Sequence, residues 1–260
     1  MSKGKHDQVD MLHGPLLGKL ILFALPLALS SILQQLFNAV DIAVLGQFAT
    51  SQDQAAVGCT SAVIDMFLNL FHGISVAAVG ANSPVISLIL NLFIGIALGA
   101  NVVIATYIGQ RDKEKVQASV HTAMLIALIS GFVMMLVGFV AARPILEFIQ
   151  TPESVLGKAV LYLLIYFAGM PFIMVYNFGA AILRSVGDTK RPLAYLTAAG
   201  ILNVILNLFF VIVCRLNVVG VALASAISQC VSAALILHAL TKVEDCYALD
   251  FRKVRLDLNM

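Results

Sequence analysis

Residues 182–213 of the 260-residue chain have the sequence ILRSVGDTKRPLAYLTAAGILNVILNLFFVIV. The first ten of these residues carry three cations and one carboxylate, and the 22 that follow carry no charge. A helix crosses the hydrocarbon of a bilayer with about 20 apolar residues, each adding about 1.5 Å. This stretch therefore predicts a basic turn at a membrane surface, followed by a spanning helix.

The composition extends that prediction to the whole chain. Hydrophobic residues make up 60% and charged residues only 12%, whereas about a quarter of a soluble domain is charged. The basic residues lie in short clusters between apolar runs, a pattern of membrane orientation that excludes a nucleic-acid-binding face. The four cysteines form no C-x-x-C pair, so we expect no disulfide framework and no metal site.

The fold class predicted is an all-α polytopic membrane protein, a bundle of six transmembrane helices with one extra helical segment. A cytoplasmic tail occupies residues 1–14, the bundle residues 15–241, and a cytoplasmic linker residues 242–260. The spans are predicted at about 16–46, 79–108, 117–142, 158–184, 193–213 and 219–241.

The extra segment arises from a tandem duplication. Residues 57–78 and 79–100 are identical at 12 of 22 positions. We predict 79–108 as the second span, since the first copy contains Asp65 and His72 where the second has Ser87 and Ile94. The path of the first copy stays open between a broken helix, a surface segment and a re-entrant pair.

Charge distribution supports six crossings. With the N-terminus in the cytoplasm, 13 of the 16 Lys and Arg residues fall on the cytoplasmic side, as the positive-inside rule requires. If the duplicated region crossed once, the split would fall to 10 and 6. We therefore expect a multi-pass protein of the plasma membrane with a cytoplasmic N-terminus.

A polar stripe in the first span is the main candidate site. Gln34, Asn38 and Asp41 project from one helical face. A carboxylate within a span costs at least about 2.5 kcal/mol, so Asp41 is a candidate cation- or substrate-binding group. The alternative is that Asp41 lies at the far interface and is simply solvated.

Other polar and helix-breaking residues lie in the later spans. Asn203 and Asn207 are spaced i, i+4 and share a face, where they can bind a carboxylate or cation or only pack two helices together. Asn177 is a further candidate amide. Pro26 and Pro171 interrupt the helical hydrogen bonding of the first and fourth spans and are candidate hinges.

At these motifs the chain resembles the multidrug and toxic compound extrusion (MATE) family. The resemblance lies in Phe23–Pro26 with Gln34–Asp41, in the helix containing Ser83-Pro84-Val85, in the turn 182–192, and in Asn203–Asn207. It covers nearly the whole chain apart from the additional 22 residues. Family members have twelve spans in two lobes, so the resemblance implies that this chain is the N-terminal lobe.

The resemblance implies proton- or sodium-coupled antiport that expels lipophilic or cationic drugs. Asp41 would bind the coupling ion, and Asn203 and Asn207 would complete its site. The coupling ion is the only cofactor implied. The implied partners are the lipid bilayer, drug-like small molecules and a second lobe or second copy of the chain.

Two other interpretations remain open. The chain can be a non-transporting fragment that acts only structurally, or a flippase of lipid-linked oligosaccharides. A flippase cavity should be cationic to hold phosphates, whereas the candidate residues here are neutral or acidic. The spans contain no nucleophile–base pair or paired carboxylates, so we do not expect an enzyme.

Overall fold

The computed structural model describes residues 16–49, 52–53, 55–57, 102–148, 150–243 and 247–249. Helices dominate these residues, which contain no β-strand. Almost all of the duplicated segment, 57–100, lies outside them, as do the tail 1–14 and most of the linker 242–260. Of the second predicted span, 79–108, the structure describes only residues 102–108, which are helical.

Six longer helices form the described bundle. They are α1 (Leu16–Phe48), α2 (Lys113–Phe148), α3 (Glu153–Ala168), α4 (Met170–Ser185), α5 (Lys190–Leu208) and α6 (Asn217–Lys242). A π-helical turn, Phe209–Val213, continues α5 toward the short connection to α6.

Three of these helical stretches are long and apolar enough to cross a bilayer by themselves: Lys113–Phe148, Lys190–Val213 and Asn217–Lys242. The pair of α3 and α4 passes the same test when it is taken as one span. The chain is thus an all-α polytopic membrane bundle, as its composition predicts.

The fourth predicted span, 158–184, is divided between two helices. The chain bends by 46° between α3 and α4, where Gly169 ends one helix and Pro171 stands in the first turn of the next. Proline has no N–H to donate, so the helical ladder is interrupted there. A Cβ on Gly131 of α2 would lie 2.6 Å from the Cα of Pro171, so the α2 backbone packs directly against the bend.

Packing places three helices around the candidate site. α1 packs against α5, and α5 packs against α6, while α6 also contacts α3 and α4. α2 covers the other side of α3 and α4. Membrane helices approach closely at small residues, and Gly179 of α4 lies in this way against Ile236 of α6.

The basic turn before α5 has the local structure its sequence predicts. Gly187 has φ 86°, a left-handed conformation that glycine adopts without steric cost. The buried Asp188 accepts from the backbone N–H of Arg191 at 3.1 Å and pairs with Arg191 Nε at 3.1 Å. Tyr176 Oη donates to the carbonyl of Pro192 at 2.9 Å and thereby fixes α4 to the start of α5.

Candidate functional site

Asp41 is a buried carboxylate on α1, only 6% exposed. It faces α5 and α6, and both of its oxygens accept hydrogen bonds from those helices. A buried carboxylate without hydrogen bonds would be costly. These hydrogen bonds therefore offset part of the free energy needed to bury Asp41.

Asp41 accepts hydrogen bonds from side chains on two different helices. Asn207 Nδ2 on α5 donates to Oδ1, and Ser225 Oγ on α6 donates to Oδ2 at 3.3 Å. Asn207 is fully buried, and Ser225 is 8% exposed. One carboxylate therefore holds three helices together at a single point.

The amide of Asn203 lies one turn before Asn207 and has two alternative orientations. In one, Nδ2 donates to Ser225 Oγ and Oδ1 accepts from Asn207 Nδ2 at 3.2 Å. After a 180° flip, Nδ2 donates to Asp41 Oδ1 at 3.0 Å, and Oδ1 accepts from the backbone N–H of Ser225 at 3.3 Å. The flipped orientation is the better one for an ionised Asp41, because it adds a third donor to the carboxylate.

The side chains that donate to Asp41, namely Asn203, Asn207 and Ser225, are all neutral. Among the described residues, Asp41 forms no ion pair with Lys, Arg or His. The Oδ1 atom of Asn207, also buried, has no hydrogen-bond partner in this part of the chain. The site thus presents oxygen atoms and one carboxylate, a donor set that suits a proton or a small hard cation.

The sequence-predicted residues fall into two groups. Asp41, Asn203 and Asn207 are brought together, although Asp41 is 166 residues from Asn207. Gln34 and Asn38 lie on α1, but their side chains are outside the described part of the structure.

The remaining predicted residues lie elsewhere. Asn177 is on α4, and its Nδ2 has no hydrogen-bond partner among the described residues. Pro26 lies inside α1, where its carbonyl accepts from Ser30 Oγ at 2.8 Å. Pro171 lies at the bend between α3 and α4.

Sequence reasoning missed Ser225. The available signal was its spacing, because Ser225, Ser228 and Ser232 share a face of α6 and are all buried. Ser228 and Ser232 instead donate to backbone carbonyls three residues earlier in the helix. Only the position of α6 against α1 distinguishes Ser225 from the other two.

Apolar helices packed around a buried carboxylate, Asp41, that accepts hydrogen bonds from side chains of α5 and α6 are typical of a polytopic membrane protein of the transporter class. The MatE family model matches residues 59–209, which is more than half of the chain. The protein therefore belongs to the MatE family.

Curated relatives point the same way. The chain is 28% identical over 223 residues to the probable multidrug resistance protein YpnP of Bacillus subtilis, covering 85% of this chain and 44% of that protein. It is 23% identical to the multidrug export protein MepA of Staphylococcus saprophyticus, covering 90% of this chain and 47% of MepA. The chain thus spans less than half the length of these two relatives.

Solved structures match over the same extent. A MATE protein in the bent conformation superposes with a TM-score of 0.77 at 23% identity, covering 93% of this chain and 49% of that one. A MATE transporter in an outward-facing conformation gives a TM-score of 0.76 over 92% of this chain. This likeness concerns the fold, which corresponds to about half of each transporter.

Proposed function

We propose that this chain is the N-terminal half of a cation-coupled antiporter that expels lipophilic and cationic drugs across the plasma membrane. The buried Asp41 with neutral donors is the observation that carries the proposal. The named activities of the multidrug relatives support the substrate class.

Asp41 is the proposed coupling residue. An ionised carboxylate is expensive to bury without a positive partner, so the group either takes up a proton or recruits a cation. Binding of either ion changes the net charge at Asp41, which lies on α1 and is hydrogen-bonded to α5 and α6. A ligand that binds one arrangement of those helices better than another shifts the balance between them.

Proton and sodium ion are the two candidate coupling ions. A proton needs only the carboxylate, whereas Na⁺ needs several oxygen ligands. Asp41, the unpartnered Oδ1 of Asn207 and the hydroxyl of Ser225 provide such oxygens. The same residues therefore support both ions, and the experiment must separate them.

A complete transport cycle needs a second lobe. Alternating access works by two bundles moving against each other around a shared site. We propose that a second copy of the chain or a separately encoded six-helix lobe supplies the other bundle. The distribution of basic residues supports a cytoplasmic N-terminus.

Dye efflux tests the proposal directly. The chain is reconstituted in vesicles with a proton gradient or a sodium gradient, and efflux of a lipophilic cationic dye is followed. We expect efflux with one of the two gradients and its loss in Asp41→Asn. Asp112→Asn, the same change at an exposed carboxylate beside α2, is the matched control and should leave efflux unchanged.

Two results would contradict the proposal. Efflux that continues unchanged in Asp41→Asn would remove Asp41 from the coupling mechanism. Inserted chain that moves dye no faster than empty vesicles, with chemical cross-linking showing that two copies have assembled, would support the structural-fragment interpretation instead.

A further inference from the structure

A second buried carboxylate lies outside the Asp41 site. Asp53 is 2% exposed. Its Oδ1 lies 2.7 Å from Lys158 Nζ, and its Oδ2 accepts from Asn217 Nδ2 at 3.2 Å. The lysine is 42% exposed, so one end of the ion pair reaches the surface while the other is enclosed.

This cluster joins three separate elements. Asp53 follows the end of α1, Lys158 lies in the first half of α3, and Asn217 is the first residue of α6. We call this the outer end of the bundle, because the distribution of basic residues predicts that it faces away from the cytoplasm. The two contacts hold Asp53, in the segment that follows α1, against α3 and α6.

The outer end lies above the Asp41 site. Asp41 is seven residues before the end of α1, about 10 Å along the helix axis. Ser225 is eight residues after the start of α6, about 12 Å from it. The Asp53 cluster is therefore roughly two helical turns further out than the carboxylate on both helices.

Apolar side chains occupy the intervening layer. Leu45 on α1 and Val211 on the π-helical turn lie between the two levels and are each at most 3% exposed. These side chains offer no polar group that could bind water or an ion between the outer surface and Asp41. Among the described residues, the ion pair therefore lies above a buried apolar layer on the outer side of the site.

An ion pair is a poor choice for simple cohesion at such a position. Removing a carboxylate from water costs about as much as the pairing returns, so an apolar contact of similar volume would serve packing equally well. A charged contact differs in that both partners are well solvated once they separate. It therefore suits a contact that must open.

We propose that Asp53, Lys158 and Asn217 form a latch that keeps the Asp41 site closed at the outer end and that releases when the site opens outward. This outer latch rests on the proposed function, since a site that never opens outward needs no releasable closure. Its predicted effect is on access to the site, and access can be measured without any transport.

Cysteine accessibility tests the latch. In a variant with the four native cysteines replaced by alanine, Leu45→Cys places a thiol between the latch and Asp41. The chain is held in lipid nanodiscs and treated with a charged thiol reagent. We expect Lys158→Met to raise the labelling rate about tenfold, a typical size for conformational coupling, and Lys158→Arg to keep it low.

Three controls separate opening from general loosening. Arg143→Met removes a cation from the exposed Arg143–Glu147 pair within α2 and should leave the labelling rate unchanged. Ala199→Cys reports on the opposite side of the site and should label slowly with and without Lys158→Met. Asn217→Gly removes the amide, tolerates the φ of 45° at this position, and should raise Leu45→Cys labelling by a smaller factor.

The outcomes distinguish the latch from the proposed function. Unchanged Leu45→Cys labelling in both Lys158→Met and Asn217→Gly would overturn the latch, as would an equal rise at Ala199→Cys. Loss of dye efflux in Asp41→Asn is independent of these rates. If the chain transports no dye while Leu45→Cys labelling rises as expected, the latch proposal stands and the antiport proposal fails.

Discussion

Gly200 of α5 lies directly against the aromatic ring of Phe37 on α1. A Cβ at residue 200 would overlap the ring atoms of Phe37. Gly200 is one turn before Asn203, and Phe37 is one turn before Asp41. The glycine thus sets the distance between the two helices immediately beside the polar site.

Gly200→Ala is expected to destabilise the bundle by about 1–3 kcal/mol, the usual cost of overpacking a tight contact. The ring must move, and α1 must shift away from α5. Thermal unfolding in detergent measures the change. Gly157→Ala on α3, where an added Cβ meets nothing within 4 Å, is the matched control and should stabilise slightly. Equal effects of the two substitutions would show that helix spacing at Gly200 is not critical.

Ser225→Ala removes one donor from Asp41 and leaves the carboxylate buried. We expect the binding of Na⁺ to weaken by about 1–3 kcal/mol, because the site loses one of its proposed oxygen ligands. Ion-dependent thermal stabilisation of the chain measures it. Ser232→Ala is the control on the same face of α6, because Ser232 donates to a backbone carbonyl. A larger effect at Ser232 than at Ser225 would contradict the site geometry.

Asp188→Ala removes the hydrogen bond and the ion pair that the Asp188 side chain forms with Arg191 in the basic turn before α5. The loss of the acceptor for the backbone N–H of Arg191, in the first turn of α5, costs about 1 kcal/mol, and the ion pair with Arg191 adds to it. Unfolding measurements should therefore show a lower stability for Asp188→Ala. Asp188→Asn keeps an oxygen for the Arg191 N–H and should lose less. The prediction fails if the asparagine variant is the less stable of the two.

The stability that Asp112 contributes at the start of α2 should depend on pH. The backbone N–H of Lys115 and then its ammonium group lower the pKa of Asp112 below its usual value. The folded pKa lies below the unfolded one, so the stabilisation is complete above the unfolded pKa and is lost as the pH falls through the folded pKa. Carboxyl NMR titration should show the lowered pKa.

The matched variant for this effect is Asp112→Asn, which keeps an acceptor for Lys115 and cannot titrate. The stability difference between the two proteins should shrink as the pH falls below about 4, near the usual pKa of aspartate. A stability difference that increases as the pH falls would contradict the prediction.

Much of the fold could be predicted from local patterns. Apolar runs longer than about 20 residues determine helices in lipid, and the i, i+4 spacing of Asn203 and Asn207 places both amides on one face wherever α5 packs. The basic turn around Gly187 and Asp188 depends on residues that are adjacent in sequence. These features need no knowledge of distant contacts.

The rest depends on packing between distant segments. Ser225 has no sequence property that separates it from Ser228, because only the crossing of α6 with α1 brings it to Asp41. Asp53 lies in a polar connection where a carboxylate is expected to be solvated. Its burial follows from the positions of α3 and α6, and these cannot be inferred from the residues around it.

The π-helical turn Phe209–Val213 lies between Asn207 and Asn217. A π turn holds one residue more than an α turn, and one residue corresponds to about 100° of rotation about a helix axis. Deleting one residue there would leave the Asn203–Asn207 face in phase with α1 and rotate the connection to α6. A change of one residue in this turn would therefore displace Ser225 of the coupling site and Asn217 of the outer latch together, since both lie on α6.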